Sequence, residues 1–231
     1  MSIQCLAIIP AFNEQESIAN IIQKTKKYVN RVLVVDDQSA DDTEKIARLH
    51  GAIVICHSRN KGVGAAMKTG IAYAKKLDPC IIVTIDADGQ HRPEDIPRLI
   101  QPIIAGEADI VLGSRFLCGE PMNMSQIKRI GNKLITSVTS FLAGVKLTDT
   151  QTGFRAFNRK ALLSLDLASD FTYTQEMILL LCHKGFRCAE VPVQMHSRKH
   201  GKSRVVSKVG VYASKVLVTI FSTYLRLRIR G

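Results

Sequence analysis

Short runs that are apolar at almost every position occur at Leu6 to Ile9, Val32 to Val35, Ile53 to Cys56, Ile81 to Ile85 and Ile110 to Leu112. Between them lie stretches in which apolar residues recur at helical spacing: Glu16 to Val29, Asp42 to His50, Val63 to Lys76 and Glu94 to Ala105. Strands without polar alternation are covered on both faces, and helices between them return the chain so that successive strands run parallel. The predicted fold class is α/β, with a mostly parallel central sheet and helices on both faces. Asp41-Asp42-Thr43-Glu44 has the spacing of a capping box and predicts that the second helix starts just after the second strand. Ligands of such sheets bind beyond the carboxyl ends of the strands, where Pro10 to Glu14, Asp36 to Ser39, His57 to Gly64 and Asp86 to Gln90 all fall.

The C-terminal part reads differently. From 204 to 230 the pattern is one long helix, with Lys208, Lys215, Thr219, Ser222 and Arg226 along one stripe. Val209, Val216, Leu217, Ile220, Tyr224 and Leu227 occupy the broad opposite side. Polar residues interrupt it too often for a transmembrane span, which needs about twenty largely uncharged residues. Two readings of this amphipathic helix stand: it lies in a membrane interface with its basic residues toward headgroups, or it packs on the sheet or in a dimer. Residues 126–142 form a second candidate interface helix, with Lys128, Arg129 and Lys133 beside Ile127, Ile130, Leu134, Ile135, Val138 and Phe141. The expected organisation is one globular unit over 1–204 and an appended interface helix over 205–231.

A chain of 231 residues with 46% hydrophobic content is long enough to bury a single core. Its six cysteines form no CxxC pair and several sit inside apolar strands, which points to reduced core thiols and no structural zinc. The N-terminus enters its first apolar run with neither a basic leader nor a small-residue cleavage site, so it reads as a strand and the expected location is the cytoplasm. The formal net charge of +12 creates a field that anions feel. Nucleic acid is disfavoured as the partner, because the basic residues concentrate after Lys128 without an aromatic-rich RNA motif or zinc-finger spacing. A phosphorylated substrate and an anionic membrane surface fit that distribution better.

Candidate chemistry centres on Thr84-Ile85-Asp86-Ala87-Asp88-Gly89-Gln90. Residues i and i+2 face the same way on an extended backbone, so Asp86 and Asp88 can converge on one hard cation while Gln90 adds a neutral oxygen. Asp and Gly at a strand end also serve local turn hydrogen bonding, so the motif takes its meaning from its neighbours. Gly62-Val63-Gly64 lacks the third glycine of a dinucleotide fingerprint, with Met67 in its place, and no P-loop signature occurs. These glycines fit either tight backbone passage near a nucleotide or a simple helix start.

The ordered set Ile9-Pro10-Ala11-Phe12-Asn13-Glu14, Val34-Val35-Asp36-Asp37-Gln38-Ser39, Asp86-Ala87-Asp88-Gly89-Gln90-His91 and Gly113-Ser114-Arg115-Phe116 closely resembles glycosyltransferase family 2. Asp149-Thr150-Gln151-Thr152-Gly153-Phe154-Arg155 and Arg198-Lys199-His200-Gly201-Lys202-Ser203-Arg204 resemble its dolichyl- and polyprenyl-phosphate mannose synthase branch. The resemblance implies a GT-A fold. It also implies inverting transfer of a hexose from GDP-mannose or a UDP-sugar to dolichyl or polyprenyl phosphate, making a lipid-linked sugar donor for glycosylation. Carried over by position, Pro10, Phe12, Glu14, Val35 and Asp37 hold the base and ribose, and Asp86 and Ala87 also meet the nucleotide sugar. Asp86, Asp88 and Gln90 hold Mg²⁺ or Mn²⁺ on the diphosphate. Asp88, Arg115 and Arg198 are the implied catalytic residues, and Arg115, Arg129, Arg198 and Arg204 the implied phosphate contacts; a guanidinium fork matches phosphate oxygens in pairs. The implied setting is the cytoplasmic face of a membrane, occupied peripherally, with a membrane-anchor protein or a second copy as further candidate partners.

A phosphate acceptor is already anionic near neutral pH and needs no catalytic base. Glu176 stands roughly where family members acting on sugar hydroxyls carry theirs, and reads as a positioning residue or a helix-surface glutamate. Two other functions stay open from sequence. One keeps the same site with a sugar hydroxyl as acceptor; the other is an idle basic module that holds phosphorylated ligands or nucleic acid.

Overall fold

Parallel aliphatic strands build the predicted sheet, in a computed structural model that describes residues 4–117, 119, 124–196 and 209–230. In chain order the strands are β1 (Cys5–Ala11), β2 (Arg31–Asp36), β3 (Ile53–Cys56), β4 (Ile81–Thr84), β5 (Ile110–Ser114), β6 (Arg155–Asn158) and β7 (Cys188–Pro192). They lie side by side as β3-β2-β1-β4-β6-β5-β7, and only β6 runs antiparallel to its neighbours. Every residue of β1 is buried, which is why its sequence carries no polar alternation.

Side-chain alternation divides the core between the two faces of the sheet. On one face Ala7, Ile9, Val34 and Val83 pack with α1 (Gln15–Thr25) and α4 (Ile96–Ile104) through Ile18, Ile21, Ile22, Ile96 and Leu99. On the other, Leu6, Ile8, Leu33, Val35 and Ile82 pack with α3 (Val63–Leu77), α6 (Arg159–Ser164) and α7 (Thr174–His183) through Met67, Ile71, Leu162 and Met177. Each such aliphatic side chain removed from water contributes about 1.5–3 kcal/mol.

The structure corrects several expectations. Helix α2 (Thr43–Leu49) starts where predicted, but its N-cap Asp42 makes no side-chain cap bond. Asp41 instead accepts from Thr43 N at 3.0 Å, and Glu44 pairs with Arg48, so the reciprocal capping box does not form. Strand β4 stops at Thr84, and Ala87 and Asp88 lie in a turn. Asp86 and Asp88 are therefore not aligned by strand alternation, as the extended-backbone argument assumed. Strands β6 and β7 had no apolar run to announce them.

Helices α5 (Gln126–Ala143), α7 and α8 (Val209–Arg230) form a third layer around Ile135, Leu179, Val216 and Ile220. The side of α8 that the sequence offered to lipid is the side that packs on protein: Val216 and Ile220 are buried, with Leu217 and Leu227 packed against them. A second apolar line, Val211, Val218, Phe221, Leu225 and Ile229, faces outward. No helix among the described residues is long and apolar enough to cross a membrane. The expected boundary at 204/205 lies outside the described residues.

The contact between α3 and β1 is close enough to test. A Cβ on Gly70 would lie 2.5 Å from Ile8 Cγ2 and 3.4 Å from Val35 Cγ2. Alanine at a helical site gains about 1 kcal/mol over glycine, whereas overpacking a dense core costs about 1–3 kcal/mol. Gly70→Ala should therefore be destabilising on balance, read as a lower urea midpoint with an unchanged slope.

Candidate active site

The first two strand ends are stitched together by side chains. Asn13, at φ 52°, accepts from Ala40 N at 2.6 Å through its Oδ1, and its own N–H donates to Ser39 Oγ at 2.8 Å. Ser39 in turn donates to Asp36 Oδ1, while Thr43 Oγ1 accepts from Glu14 N at 2.8 Å. These bonds fix the loop carrying Phe12 and Glu14 beside the loop carrying Asp37. Both loops follow the carboxyl ends of parallel strands, as the topology requires.

Asp37 is buried, and its carboxylate is heavily engaged. Oδ1 accepts from His57 Nδ1 at 2.7 Å and from Lys61 N at 2.9 Å, and Oδ2 accepts from Gly62 N at 2.7 Å. Asp37 thus holds the turn that begins α3, where Gly62 at φ 95° supplies a backbone conformation that disfavours side chains. Val35 is wholly buried in the core with its side chain against α3, so only its backbone borders the crevice. Pro10 is buried as well, and Phe12 and Glu14 are half-buried.

The turn after β4 carries the carboxylates. Ala87 is buried, and its carbonyl accepts from Ser17 Oγ at 2.7 Å, anchoring the turn to α1. Asp88 Oδ1 accepts from Gln90 N at 3.0 Å. Asp86 Oδ2 lies 3.1 Å from His91 Nε2, and the His91 ring packs on Phe154 at 5.1 Å. The His91 Nδ1 is buried without a hydrogen-bond partner among the described residues. Burial opposes ionisation of Asp86, yet His91 and the charges of Arg115 and Arg155 hold its carboxyl below the usual range.

Two carboxylates and an amide oxygen are hard donors suited to Mg²⁺ or Mn²⁺. No group of three or more His, Cys, Asp or Glu forms a metal cage among the described residues. By type these donors suit an ion that draws its remaining oxygens from a diphosphate and water. Gly153 leaves the room: a Cβ there would sit 2.6 Å from Asp86 Oδ1 and 2.9 Å from Tyr173 Oη.

Arg115 follows β5, and Asp149 grips it in a fork. Its Nε donates to Asp149 Oδ2 at 2.5 Å and its Nη2 to Oδ1 at 2.8 Å. Asp149 is fully buried, and its own N–H donates to Glu190 Oε1 at 2.9 Å on β7. Burial alone would raise the Asp149 pKa; the Arg115 guanidinium overcomes that and holds the carboxyl below its usual range. Arg155 is fully buried as well but pairs with no acid among the described residues. It donates to the carbonyls of Thr150, Thr152 and Thr174, a purely structural set that ties β6 to α7.

Three sequence candidates stand elsewhere. Arg129 is half-buried on α5. Glu176 is interior rather than on a helix surface: Oε1 accepts from Ala168 N at 2.8 Å and Oε2 from Ser169 N at 3.0 Å, with Arg226 against Oε1. Its surface reading is therefore overturned. Arg198 and Arg204 lie outside the described residues. Sequence reasoning missed Asp149 as the partner of Arg115 and Glu190 behind it. For Asp149 the signal was present, an acid inside a motif otherwise read for its family likeness.

Comparison with known proteins identifies the family and the fold. The model of the family described as Glycosyl transferase family 2 matches residues 6–165. The UDP-N-acetylglucosamine–dolichyl-phosphate N-acetylglucosaminyltransferase of Methanococcus voltae is 35% identical over 219 residues, covering 85% of this chain and 87% of its own. The polyprenol monophosphomannose synthase of Mycolicibacterium smegmatis is 31% identical over 217 residues, covering 87% of this chain and 80% of its own. Among solved structures, glucosyl-3-phosphoglycerate synthase from Mycobacterium tuberculosis, in complex with Mn²⁺, UDP and glucosyl-3-phosphoglycerate, superposes with a TM-score of 0.74. It shares 21% identity over 96% of this chain and 80% of its own, and shows that the fold is GT-A-like.

Removing the fork should expose its energetics. Asp149→Asn leaves Arg115 without its charge partner and should cost about 3 kcal/mol at pH 7. Because the native pKa is depressed, the stability from this carboxylate is complete above the unfolded value of about 3.9 and is lost as pH falls through the lower native value. The gap between variant and parent in denaturant titrations should therefore close as the pH is lowered below about 4.

Proposed function

The chain belongs to glycosyl transferase family 2, and from that premise we propose that it moves a hexose from a nucleotide diphosphate sugar to a polyprenyl phosphate, with inversion at the anomeric carbon. The observation that carries the proposal is Arg115, fixed by a buried carboxylate and within electrostatic reach of Asp86. It forms a rigid cation beside the acids suited to a metal-bound diphosphate. The names of the two relatives, one a dolichyl-phosphate and one a polyprenol transferase, support a polyprenyl phosphate acceptor and differ in the sugar.

In this reading the crevice of the β1, β2 and β4 loops takes the nucleotide, and Asp86, Asp88 and Gln90 hold Mg²⁺ or Mn²⁺. Such an ion neutralises charge that builds on the departing diphosphate. Arg115 brings the acceptor phosphate within attack distance of the anomeric carbon, overcoming repulsion between two anions. An acceptor phosphate oxygen forms the new bond to that carbon. The old bond to the diphosphate breaks, and its electron pair leaves with the nucleoside diphosphate. No proton has to move. Glu176 supports this choice over a sugar hydroxyl acceptor, because both of its oxygens are engaged inside the fold.

The acceptor tail calls for a lipid surface. On α5, Ile127, Ile130, Leu134 and Phe141 are exposed, and on α8 a second exposed line runs from Val211 to Ile229. Lys128, Lys133, Lys215 and Arg228 border these lines on exposed positions. Apolar stripes rimmed by cations on a chain of net charge +12 fit an anionic bilayer, docked peripherally.

Two outcomes test the reading. Asp88→Asn should lower metal-dependent transfer of labelled sugar into organic-extractable polyprenyl phosphate by about 100-fold or more, as chelation should in the parent. The assay runs separately with GDP-mannose, UDP-glucose and UDP-N-acetylglucosamine; labelling of a sugar hydroxyl acceptor instead of lipid would overturn the proposal. Replacing Phe141 and Phe221 by Ser removes side chains each worth about 1.5–3 kcal/mol on burial. That double variant should cosediment at least about tenfold less with vesicles containing anionic lipid.

A further inference from the structure

Glu176 and Arg226 form a buried ion pair that no step of the transfer uses. The Glu176 side chain is 1% exposed and that of Arg226 24%, and the pair joins α7 to the C-terminal half of α8. We propose that Glu176, clamped by Arg226, is a positioning residue for donor binding, bracing the nucleotide loop from α8. The proposal rests on the donor-side crevice described above.

The path is continuous and made mostly of backbone. Glu176 receives the N–H groups of Ala168 and Ser169 and so fixes the turn before α7. The carbonyl of Asp170, in that turn, accepts from Gly64 N at 3.0 Å. A Cβ on Gly64 would lie 2.6 Å from backbone atoms of Ser169 and Asp170, and one on Gly62 would lie 2.9 Å from the Asp170 carbonyl oxygen. Backbone thus meets backbone without slack at the start of α3. The next atoms along are the Lys61 and Gly62 N–H groups that bind Asp37. Lys68 reinforces the joint by donating to the Ala168 carbonyl at 3.1 Å and pairing with the Asp170 carboxylate.

A second contact links the same turn to α8. The Phe171 ring lies 5.7 Å from that of Tyr212, and Lys215 sits over it at 5.3 Å. The helix whose outer line faces lipid in the proposed function therefore holds the donor loop through two independent contacts on its inner side. A carboxylate that accepts from two backbone N–H groups and a guanidinium has most of its acceptor capacity engaged inside the fold. It orients a loop rather than accepting a proton from substrate.

The test compares Glu176→Gln, Arg226→Gln and the double variant, with Arg226→Lys as the conservative replacement and Phe171→Ala as a variant that disturbs no buried charge. Without any ligand, amide hydrogen exchange over residues 61–66 should quicken about tenfold in both single variants, because their local opening loses its brace. Binding of GDP and UDP with Mn²⁺, measured by calorimetry, should weaken about 5- to 30-fold, and donor KM should rise in step while kcat stays within about threefold. The double variant should be no worse than either single one, since the pair acts as a unit, and Arg226→Lys should recover most of the loss. Phe171→Ala should move exchange and affinity the same way by about two- to fivefold.

Unchanged exchange over 61–66 in Glu176→Gln and Phe171→Ala would overturn the proposal. So would a 100-fold fall in kcat with unaltered nucleotide affinity, the signature of a lost base. Failure of the parent protein to bind either nucleotide would overturn the donor-crevice reading, and with it the functional part of this proposal, while exchange alone would still decide whether the brace exists.

Discussion

The site depends on a carboxylate that has no access to water. Asp149 is fully buried, and a buried carboxylate stays charged only when opposite charge and hydrogen-bond donors replace its hydration. Arg115 supplies both, and in doing so loses its own freedom: a side chain with many rotamers becomes a fixed fork at the end of β5. The position of Asp149 is in turn set by Glu190 on β7, which takes the N–H groups of Thr148 and Asp149. Strand β7 pairs with β5, so the same sheet that carries Arg115 carries the residue that anchors its partner. In the proposed transfer, a cation prepared in this way pays its ordering entropy at folding, before a phosphate would arrive.

The antiparallel strand β6 makes this arrangement reachable. It inserts between β4 and β5 and brings the Thr150 to Arg155 segment beside the turn that carries Asp86. Arg155 is satisfied entirely by carbonyls of Thr150, Thr152 and Thr174, so it holds that segment against α7 without drawing on any acid of the site. Burial lowers its pKa, and its charge still reaches Asp86. One arginine is therefore held by a carboxylate and the other by backbone carbonyls, a difference made by their partners and not by residue type.

How much of this was legible in the sequence follows from the range of each interaction. Strands β1 to β5 announce themselves by an unbroken apolar run, a local signal that reflects burial on both faces in β1, β2, β4 and β5, while β3 lies half-buried at the sheet edge. Strand β6, Arg-Ala-Phe-Asn, has no such run; its place comes from pairing with β4 and β5, more than forty residues away in sequence. The loops that gather at the strand ends were legible from topology alone. The alignment of Asp86 and Asp88 was argued from strand geometry, which ends two residues too soon, so the local reason given for pairing them does not hold. Asp149 stood in a recognisable motif, but its pairing with Arg115, like that of Glu176 with Arg226, joins residues brought together only by tertiary packing.

Helix α8 shows why amphipathic pattern alone misassigns a surface. Its sequence is apolar on two opposite sides, and a single-stripe reading picks the broader one for lipid. Packing decides otherwise: the side with Val216 and Ile220 closes on α5 and α7, and the narrower line around Phe221 and Leu225 is left outside. The same rotation carries Arg226 inward, away from the headgroup position its stripe implied, and onto Glu176. A basic residue counted toward a membrane surface is thereby removed from that account and becomes part of the interior. The charge left at the rim rests with Lys128, Lys133, Lys215 and Arg228, and that smaller set is what an anionic surface would meet.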